Sequence, residues 1–203
     1  MLDGETKKED PKDQSSEERG GALLAIWEAV KVIFISLAII LPIRYYLVQP
    51  FFVKGASMEP NFEDGDYILI DEISYRFNEP SRGDVIIFRY PENHAEFFIK
   101  RVIGLPGETV EIKDNRVIVY NSQFPKGEEL KERYLAGFQK TMGNFTVKLD
   151  GNEFYVLGDN RLQSSDSRRW GPVDRSLITG RAFIRPWPFR RFSEIGHWQY
   201  SYQ

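Results

Sequence analysis

Three short segments of the chain carry residues that could support chemistry. The first spans residues 55–60 and reads Gly-Ala-Ser-Met-Glu-Pro, with Ser57 among small residues. Because Pro60 disfavours helical backbone before it, the serine can lie on an exposed turn, where a nucleophile must be accessible. The same composition is also typical of an ordinary loop, so this segment alone does not indicate an enzyme.

The second segment spans residues 97–107 and contains the adjacent pair Lys100 and Arg101 within a predicted strand. Side chains alternate between the two faces of a strand, so one of these residues must share a face with apolar neighbours. Burial lowers the pKa of a lysine, which can then act as a general base near neutral pH, whereas an arginine cannot. The alternative is an edge strand whose two cations extend into solvent.

The third segment, residues 158–168, is rich in hydroxyl, carboxylate and guanidinium groups and follows an apolar strand directly. Such groups can hydrogen-bond one another and orient a neighbouring amine. The alternative reading is a solvated loop.

Composition limits the chemistry that is available to the chain. Its 203 residues contain no cysteine, which excludes disulfides, thiolate metal sites and a cysteine nucleophile. The two histidines, His94 and His197, exclude a histidine-rich metal site and leave two candidates for the base of a Ser-His-Asp triad. The net charge is −3, and residues 1–21 hold that surplus of acid. A neutral body gains little from counterion release, so we expect no nucleic-acid partner.

The N-terminal part changes composition abruptly at residue 22. Residues 1–21 are polar and predict a disordered tail, whereas residues 22–43 are apolar apart from Glu28, Lys31 and Ser36. A helix of that length extends about 33 Å, close to the thickness of a hydrocarbon core. Glu28 and Lys31 share a helix face and could form an ion pair. We predict a transmembrane signal-anchor with a cytoplasmic N-terminus; a buried core helix and a cleaved signal peptide are the alternatives.

Residues 44–203 predict a β-rich domain, because short β-branched and aromatic runs alternate with turn residues such as Pro106-Gly107. Antiparallel sheets or a partly open β-barrel are expected, with residues 123–144 as a polar insertion that contains a short helix around residues 128–136. The predicted strands are Tyr67–Asp71, Asp84–Tyr90, Phe97–Ile103, Thr109–Lys113, Arg116–Tyr120, Phe145–Leu149, Phe154–Leu157 and Ile178–Arg185.

The order and spacing of these segments behind an apolar helix resemble the bacterial type I signal peptidases. The resemblance covers the helix and most of residues 44–188. Its motifs are the serine box 57–60, the strand 65–69, the lysine box 100–107, and a late box with Gly158, Asp159, Asn160, Arg161, Ser164, Asp166, Ser167 and Arg168, followed by residues 180–183.

The resemblance implies a membrane-anchored serine endopeptidase that removes signal peptides from exported preproteins with a Ser–Lys dyad. Ser57 would be the nucleophile and Lys100 the general base. Ser164 would orient the lysine, Asp166 and Arg168 would form a charged pair, and Arg101 would pair with Asp159 or Asp166. Some family members place a serine two residues before the nucleophile. Gly55 stands there in this chain, which leaves the oxyanion to backbone N–H groups, chiefly that of Ser57.

The family's substrates carry small side chains at the third and first positions before the cut and pair with the enzyme as an added strand. Residues expected to form these substrate pockets are Phe52, Val53, Gly55, Met58, Val85 and Ile87. The late box has Leu162-Gln163 where the family commonly has Asp-Asn. The expected partners are signal peptides and the lipid bilayer, with an extracytoplasmic, monomeric catalytic domain and neither metal nor cofactor.

Three alternatives remain open. A self-cleaving regulator of the repressor type shares the Ser–Lys arrangement, but it would need a DNA-binding helix pair before the β domain. A membrane-tethered β domain that binds exported polypeptides without cutting them would need no dyad. A histidine-dependent mechanism would have to use His94 or His197.

Overall fold

A computed structural model describes residues 11–42, 48–196, 198 and 200, with the backbone alone for residues 11–25, 42 and 48. The chain divides into two compact units, residues 1–45 and 46–203. The candidate base His197 and residues 1–10 of the predicted tail lie outside the described residues.

Helix α1 spans Pro11–Pro42. It includes residues 11–21 of the segment predicted as a disordered tail. The described side chains of residues 26–41 are exposed, and Lys31 Nζ lies 2.6 Å from Glu28 Oε1, as the spacing predicts. Within the described part of the chain, no helix is both long and apolar enough to cross a membrane.

The second unit is built on two antiparallel sheets. In the described residues the larger sheet has eight strands in the order β1-β2-β11-β3-β4-β9-β10, with β12 paired to β11. Its strands are β1 Val48–Phe52, β2 Tyr67–Asp71, β3 Val85–Tyr90, β4 Asn93–Gly104, β9 Glu153–Leu157, β10 Val173–Asp174, β11 Ile178–Trp187 and β12 Ser193–Glu194.

The smaller sheet has the order β7-β6-β5-β8 among the described residues. Its strands are β5 Thr109–Lys113, β6 Arg116–Tyr120, β7 Glu128–Glu129 and β8 Phe145–Lys148. The short helices α2 and α3 span Ser74–Phe77 and Ser167–Trp170.

The larger sheet is strongly curved. Strands β1 and β4 are separated by three strands in the sheet order, yet the ring centroids of Phe51 and Phe97 lie 6.3 Å apart. The prediction of a mainly β fold with antiparallel sheets is therefore confirmed, but the sheet curves without closing into a barrel.

The core beneath the Ser57 turn is formed by one apolar cluster. Met58 is fully buried there and packs with side chains from β2, β3 and β4, which include Ile68, Ile87 and Ile99. Residues Val85–Phe88 are all buried, so β3 is covered on both faces. This packing gives the turn and strand β4 a rigid common support.

Two parts of the second unit differ from the sequence prediction. Strand β1 is absent from the predicted strands. It contains Pro50, and because β1 is an edge strand, the missing N–H of this proline is tolerated. The helix predicted around residues 128–136 is wrong. Strand β7 pairs with β6 there, and Leu130 and Tyr134 pack into the core beside the smaller sheet.

Candidate active site

Ser57 lies on the turn that follows β1. The turn begins at Gly55, which has a left-handed φ of +82° and donates its N–H to Asp64 Oδ1 at 2.7 Å. The next residue, Met58, is fully buried, and its carbonyl accepts a hydrogen bond from Phe62 N at 3.0 Å. The turn is thus fixed on both sides of the serine, which itself is partly exposed.

Lys100 extends from β4 toward this turn. Its Nζ lies 2.8 Å from Ser57 Oγ and 2.8 Å from the carbonyl oxygen of Ile99, and the residue is 3% exposed. Burial lowers the pKa of Lys100 to about 8, against the opposing effect of the Asp166 and Asp159 carboxylates. Both basic residues of the pair are buried, so the alternative in which the two cations extend into solvent is wrong.

Arg101 pairs with Asp159 through two parallel hydrogen bonds, from Nε at 2.8 Å and from Nη2 at 2.6 Å. Its third nitrogen donates to the Gly83 carbonyl at 2.9 Å, and the guanidinium lies 4.1 Å from the ring centroid of Tyr134. Asn61 Nδ2 donates to the same carboxylate at 2.8 Å. The structure therefore pairs Arg101 with Asp159 and not with Asp166, and it fully satisfies a buried charge pair.

Asp166 and Arg168 form the predicted charged pair. Asp166 is fully buried and accepts hydrogen bonds from Arg168 Nε and Nη2, both at 2.8 Å, and from Gly158 N at 3.1 Å. Burial alone would raise the pKa of Asp166, but the hydrogen bonds and charge of Arg168 hold it below its usual value. Arg168 Nη2 also donates to the Arg161 carbonyl at 2.7 Å, which closes the loop after β9.

Ser164 lies against Gly158 and the Ser57 backbone. A Cβ at Gly158 would lie 2.2 Å from Ser164 Oγ and 2.4 Å from the Ser57 carbonyl oxygen, so only glycine fits at this position. The Ser164 hydroxyl is buried, and among the described residues no hydrogen bond joins it to Lys100. The structure thus brings Ser164 to the dyad without forming the predicted contact with the lysine.

A cleft of about 600 Å³ opens above Ser57 and Lys100. Phe52 and Gly55, both predicted to bind substrate, lie in its wall. The other four residues predicted for the pockets do not line the cleft. Their side chains point into the core and are buried in one apolar cluster, which contains Val53, Met58, Val85 and Ile87. The remaining lining residues are Phe51, Lys54, Ala56, Glu96, Phe97, Phe98, Ile99, Gln163 and Ser165.

One wall of the cleft is a free strand edge. The N–H and C=O of Val102 bond to Asp84 O and Gly83 N, at the β3 side of β4. Since backbone groups alternate between the two edges of a strand, those of Ile99 and Phe97 point to the opposite edge. Strand β9 covers that edge only from Arg101 onward. Among the described residues, the backbone of Phe97 and the N–H of Ile99 are therefore open to an added strand, while the Ile99 carbonyl already accepts a hydrogen bond from Lys100 Nζ and has one lone pair left.

Two residues that the sequence did not single out as site residues support the loop after β9. Asn160 N donates to the Ser57 carbonyl at 3.0 Å, and its Nδ2 donates to the Ala56 carbonyl at 3.0 Å. Arg161 is buried and binds Glu132 through two hydrogen bonds at 2.8 Å and 2.5 Å. The sequence signal that could have indicated them is their position directly after an apolar strand. Their partners could not be predicted, because these lie far away in the sequence.

The Ser57 hydroxyl lies within hydrogen-bond distance of the desolvated Lys100 amine, in a cleft with a free strand edge. This is the geometry of a serine hydrolase with a lysine base. Comparison with known proteins agrees with this class. The family model described as "Signal peptidase, peptidase S26" matches residues 26–187. The chain therefore belongs to the signal peptidase family, peptidase S26, and is a peptidase of the signal peptidase I kind.

Individual relatives are similar to this chain over most of their own length. "Signal peptidase I" of Leptolyngbya laminosa is 39% identical over 178 residues, 84% of each chain. "Signal peptidase I" of Bacillus amyloliquefaciens is 32% identical over 194 residues, 91% of this chain and 96% of that one. "Signal peptidase IB" of Staphylococcus aureus (strain COL) is 32% identical over 183 residues, 82% of this chain and 92% of that one.

Proposed function

We propose that the protein is a membrane-anchored serine endopeptidase that removes N-terminal signal peptides from exported preproteins, with Ser57 as nucleophile and Lys100 as general base. The observation that carries this proposal is the 2.8 Å separation of Lys100 Nζ from Ser57 Oγ together with the burial of the lysine. Its family membership supplies the substrate class.

Acylation uses the neutral amine of Lys100. The amine accepts the proton of the Ser57 hydroxyl as Oγ attacks the scissile carbonyl carbon, which forms a tetrahedral oxyanion. When the C–N bond breaks, the Lys100 ammonium returns that proton to the leaving amine, and the signal peptide remains bound as an ester of Ser57. Lys100 then accepts a proton from water as the water oxygen attacks the ester, and it returns the proton to Ser57 Oγ as the acid product leaves.

The surroundings of Lys100 suit both protonation states. Desolvation favours the neutral amine that begins each half-reaction. The Asp159 and Asp166 carboxylates favour the ammonium that forms in between, and each is held by its own arginine, Arg101 or Arg168. A base with a pKa close to the working pH can exchange a proton readily in both directions.

Stabilisation of the oxyanion is assigned to the backbone N–H of Ser57. Gly55 has no side chain to contribute, and its own N–H is already bonded to Asp64 Oδ1. A preorganised backbone donor in a site shielded from water is worth far more than the same donor in solution.

Substrate recognition is assigned to the free edge of β4. An extended preprotein segment can pair with the backbone of Phe97 and Ile99, as in other cases of strand addition. Alternate residues of that segment then face the enzyme, which matches the selection of small side chains at the third and first positions before the cut. Phe51 and Phe52 also line the cleft.

Membrane attachment is assigned to residues 22–43, with the N-terminus in the cytoplasm and the catalytic unit outside. The exposed apolar side chains of α1, such as Ile33, Phe34 and Leu37, support this assignment. Alkaline carbonate washing of membranes from expressing cells should leave the full chain in the pellet. Its release into the supernatant would contradict the anchor and leave the peptidase proposal intact.

The peptidase proposal is tested by incubating the purified full chain in detergent with a preprotein that has alanine at the third and first positions before the expected cut. We expect a single cleavage after the second alanine, and no cleavage when that alanine is replaced by tryptophan. Ser57→Ala should retain preprotein binding without cleaving. Binding without cleavage by the unsubstituted chain would instead support a tethered binding domain.

A further inference from the structure

Asn160 joins the loop after β9 to the turn that carries the nucleophile. Its backbone N–H bonds to the Ser57 carbonyl and its Nδ2 to the Ala56 carbonyl, both at 3.0 Å. The residue is 8% exposed, so solvent does not compete strongly for these bonds. One residue thus holds two consecutive carbonyl groups of the turn.

The orientation of the Asn160 amide is also fixed. Its Oδ1 accepts hydrogen bonds from Gln163 N and from Gln139 Nε2, both at 3.3 Å. An amide can present either its oxygen or its NH₂ group to a neighbour, so two donors at Oδ1 direct the NH₂ group toward Ala56. Gln139 comes from the polar segment between β7 and β8, which connects that segment to the site.

The bond to Ala56 has a consequence for Ser57. The carbonyl of Ala56 and the N–H of Ser57 belong to one planar peptide group, in which they point in opposite directions across a trans bond. Fixing the direction of the carbonyl therefore fixes the direction of the N–H. Asn160 Nδ2 at 3.0 Å and Glu59 N at 3.2 Å both donate to the Ala56 carbonyl on one side of this peptide, so the Ser57 N–H points to the other side.

We propose that Asn160 is a positioning residue, which aims the Ser57 N–H at the substrate oxyanion, and that Gln139 holds the Asn160 amide in the orientation required. This inference rests on the proposed role of Ser57 and assigns the support of its oxyanion donor. Asn160 itself touches neither the substrate nor the reacting atoms.

The test measures kcat and KM for preprotein cleavage by the purified full chain. Asn160→Ala should lower kcat by about 10- to 100-fold, because misdirecting a preorganised group by a fraction of an ångström has effects of that size. KM should stay within about twofold, and the midpoint of the pH profile should not move, since no charge changes. Asn160→Asp, which keeps the shape but loses the NH₂ donor, should also lose kcat.

A double-mutant cycle tests the role of Gln139. Gln139→Ala should lower kcat by about 3- to 10-fold, and adding it to Asn160→Ala should have little further effect, because residues that act through one contact are not additive. Asn152→Ala is the matched control. Asn152 is an exposed asparagine whose Nδ2 bonds to Asp174 at 2.9 Å, so kcat should not change.

The outcomes separate this inference from the proposed function. If Ser57→Ala is inactive while Asn160→Ala and Asn160→Asp keep kcat within twofold, the positioning role is overturned and the peptidase proposal stands. If the losses of kcat caused by Gln139→Ala and by Asn160→Ala multiply in the double variant, the link through Gln139 is overturned. Cleavage by Ser57→Ala would overturn both proposals. Should Asn160→Ala not fold, Asn160→Asp and Gln139→Ala still decide between these results.

Discussion

Lys100 Nζ lies 2.8 Å from Ser57 Oγ, although the two residues are 43 positions apart in the sequence. Neither group is reactive in isolation at neutral pH: the hydroxyl holds its proton, and an ordinary lysine is already protonated. Burial of the lysine within β4 increases the neutral fraction of its amine, because it lowers the pKa of Lys100 to about 8. At pH 7 about a tenth of the lysine is then neutral, and in that fraction the contact joins a proton donor to a proton acceptor.

The first prediction concerns pH. The neutral fraction of Lys100 falls tenfold for each pH unit below its pKa of about 8, so kcat/KM should rise about tenfold per unit up to that value and level above it. A pH series of preprotein cleavage measures this profile. His94→Ala should give the same profile, whereas a midpoint near 6.5 that disappears in this variant or in His197→Ala would indicate a histidine base.

The second prediction concerns the glycine at the centre of the site. Gly158→Ala would force a methyl group within 2.4 Å of the Ser57 carbonyl oxygen, so the nucleophile turn must shift. We expect kcat to fall at least about 100-fold. Gly151→Ala is the matched control, because nothing lies within 4 Å of a Cβ there. Equal activity of the two variants in the cleavage assay would contradict the packing of Gly158 against Ser57.

The third prediction concerns the buried charge pair. Asp159→Asn leaves the Arg101 guanidinium buried without its carboxylate and should lower the free energy of unfolding by about 3–5 kcal/mol. It also removes a carboxylate that raises the pKa of Lys100, so the pH midpoint of any remaining activity should move down. Denaturant unfolding and the pH profile measure the two effects.

A surface pair serves as the control for this substitution. Arg116 and Glu129 are about half exposed and 3.4 Å apart, so Glu129→Gln should change stability by less than about 1 kcal/mol. Similar losses for Asp159→Asn and Glu129→Gln would show that the buried pair has no special role.

The resemblance to the family predicted which residues form the site, and the local residue pattern predicted several of the strands. Ser57, Lys100, Asp159 and Asp166 come together as the order of the motifs indicates, and strands β2, β5 and β6 begin and end where their apolar runs do. Local sequence determines where these strands begin and end, because turn residues and alternation act over a few positions.

Other features depended on contacts that no local pattern contains. Residues 128–136 have polar and helix-forming types, but pairing of β7 with β6 and burial of Tyr134 override that preference. Val85 and Ile87 belong to a strand that is buried on both faces, and their side chains lie in the apolar cluster beneath the Ser57 turn. The alternation of side chains along this strand could not show whether either face meets the cleft. The partner of Asn160 is 104 residues away.

The fourth prediction concerns Gly55. Its φ of +82° is unfavourable for other residues, so both Gly55→Ala and Gly55→Ser should lower the free energy of unfolding by about 1 kcal/mol, although a Cβ meets nothing within 4 Å. If the backbone alone binds the oxyanion, Gly55→Ser should be no faster than Gly55→Ala. A kcat of Gly55→Ser well above that of the unsubstituted chain would show that a side-chain hydroxyl at this position can join the oxyanion site.

The role of Lys100 as the base for Ser57 can be examined by comparing preprotein cleavage by Lys100→Ala and by the unsubstituted chain at pH 8. We expect kcat to fall by at least about 1,000-fold while the variant remains folded and binds the preprotein, because the Ser57 hydroxyl has then lost its proton acceptor. A folded Lys100→Ala variant with near-normal kcat would contradict the Ser–Lys dyad.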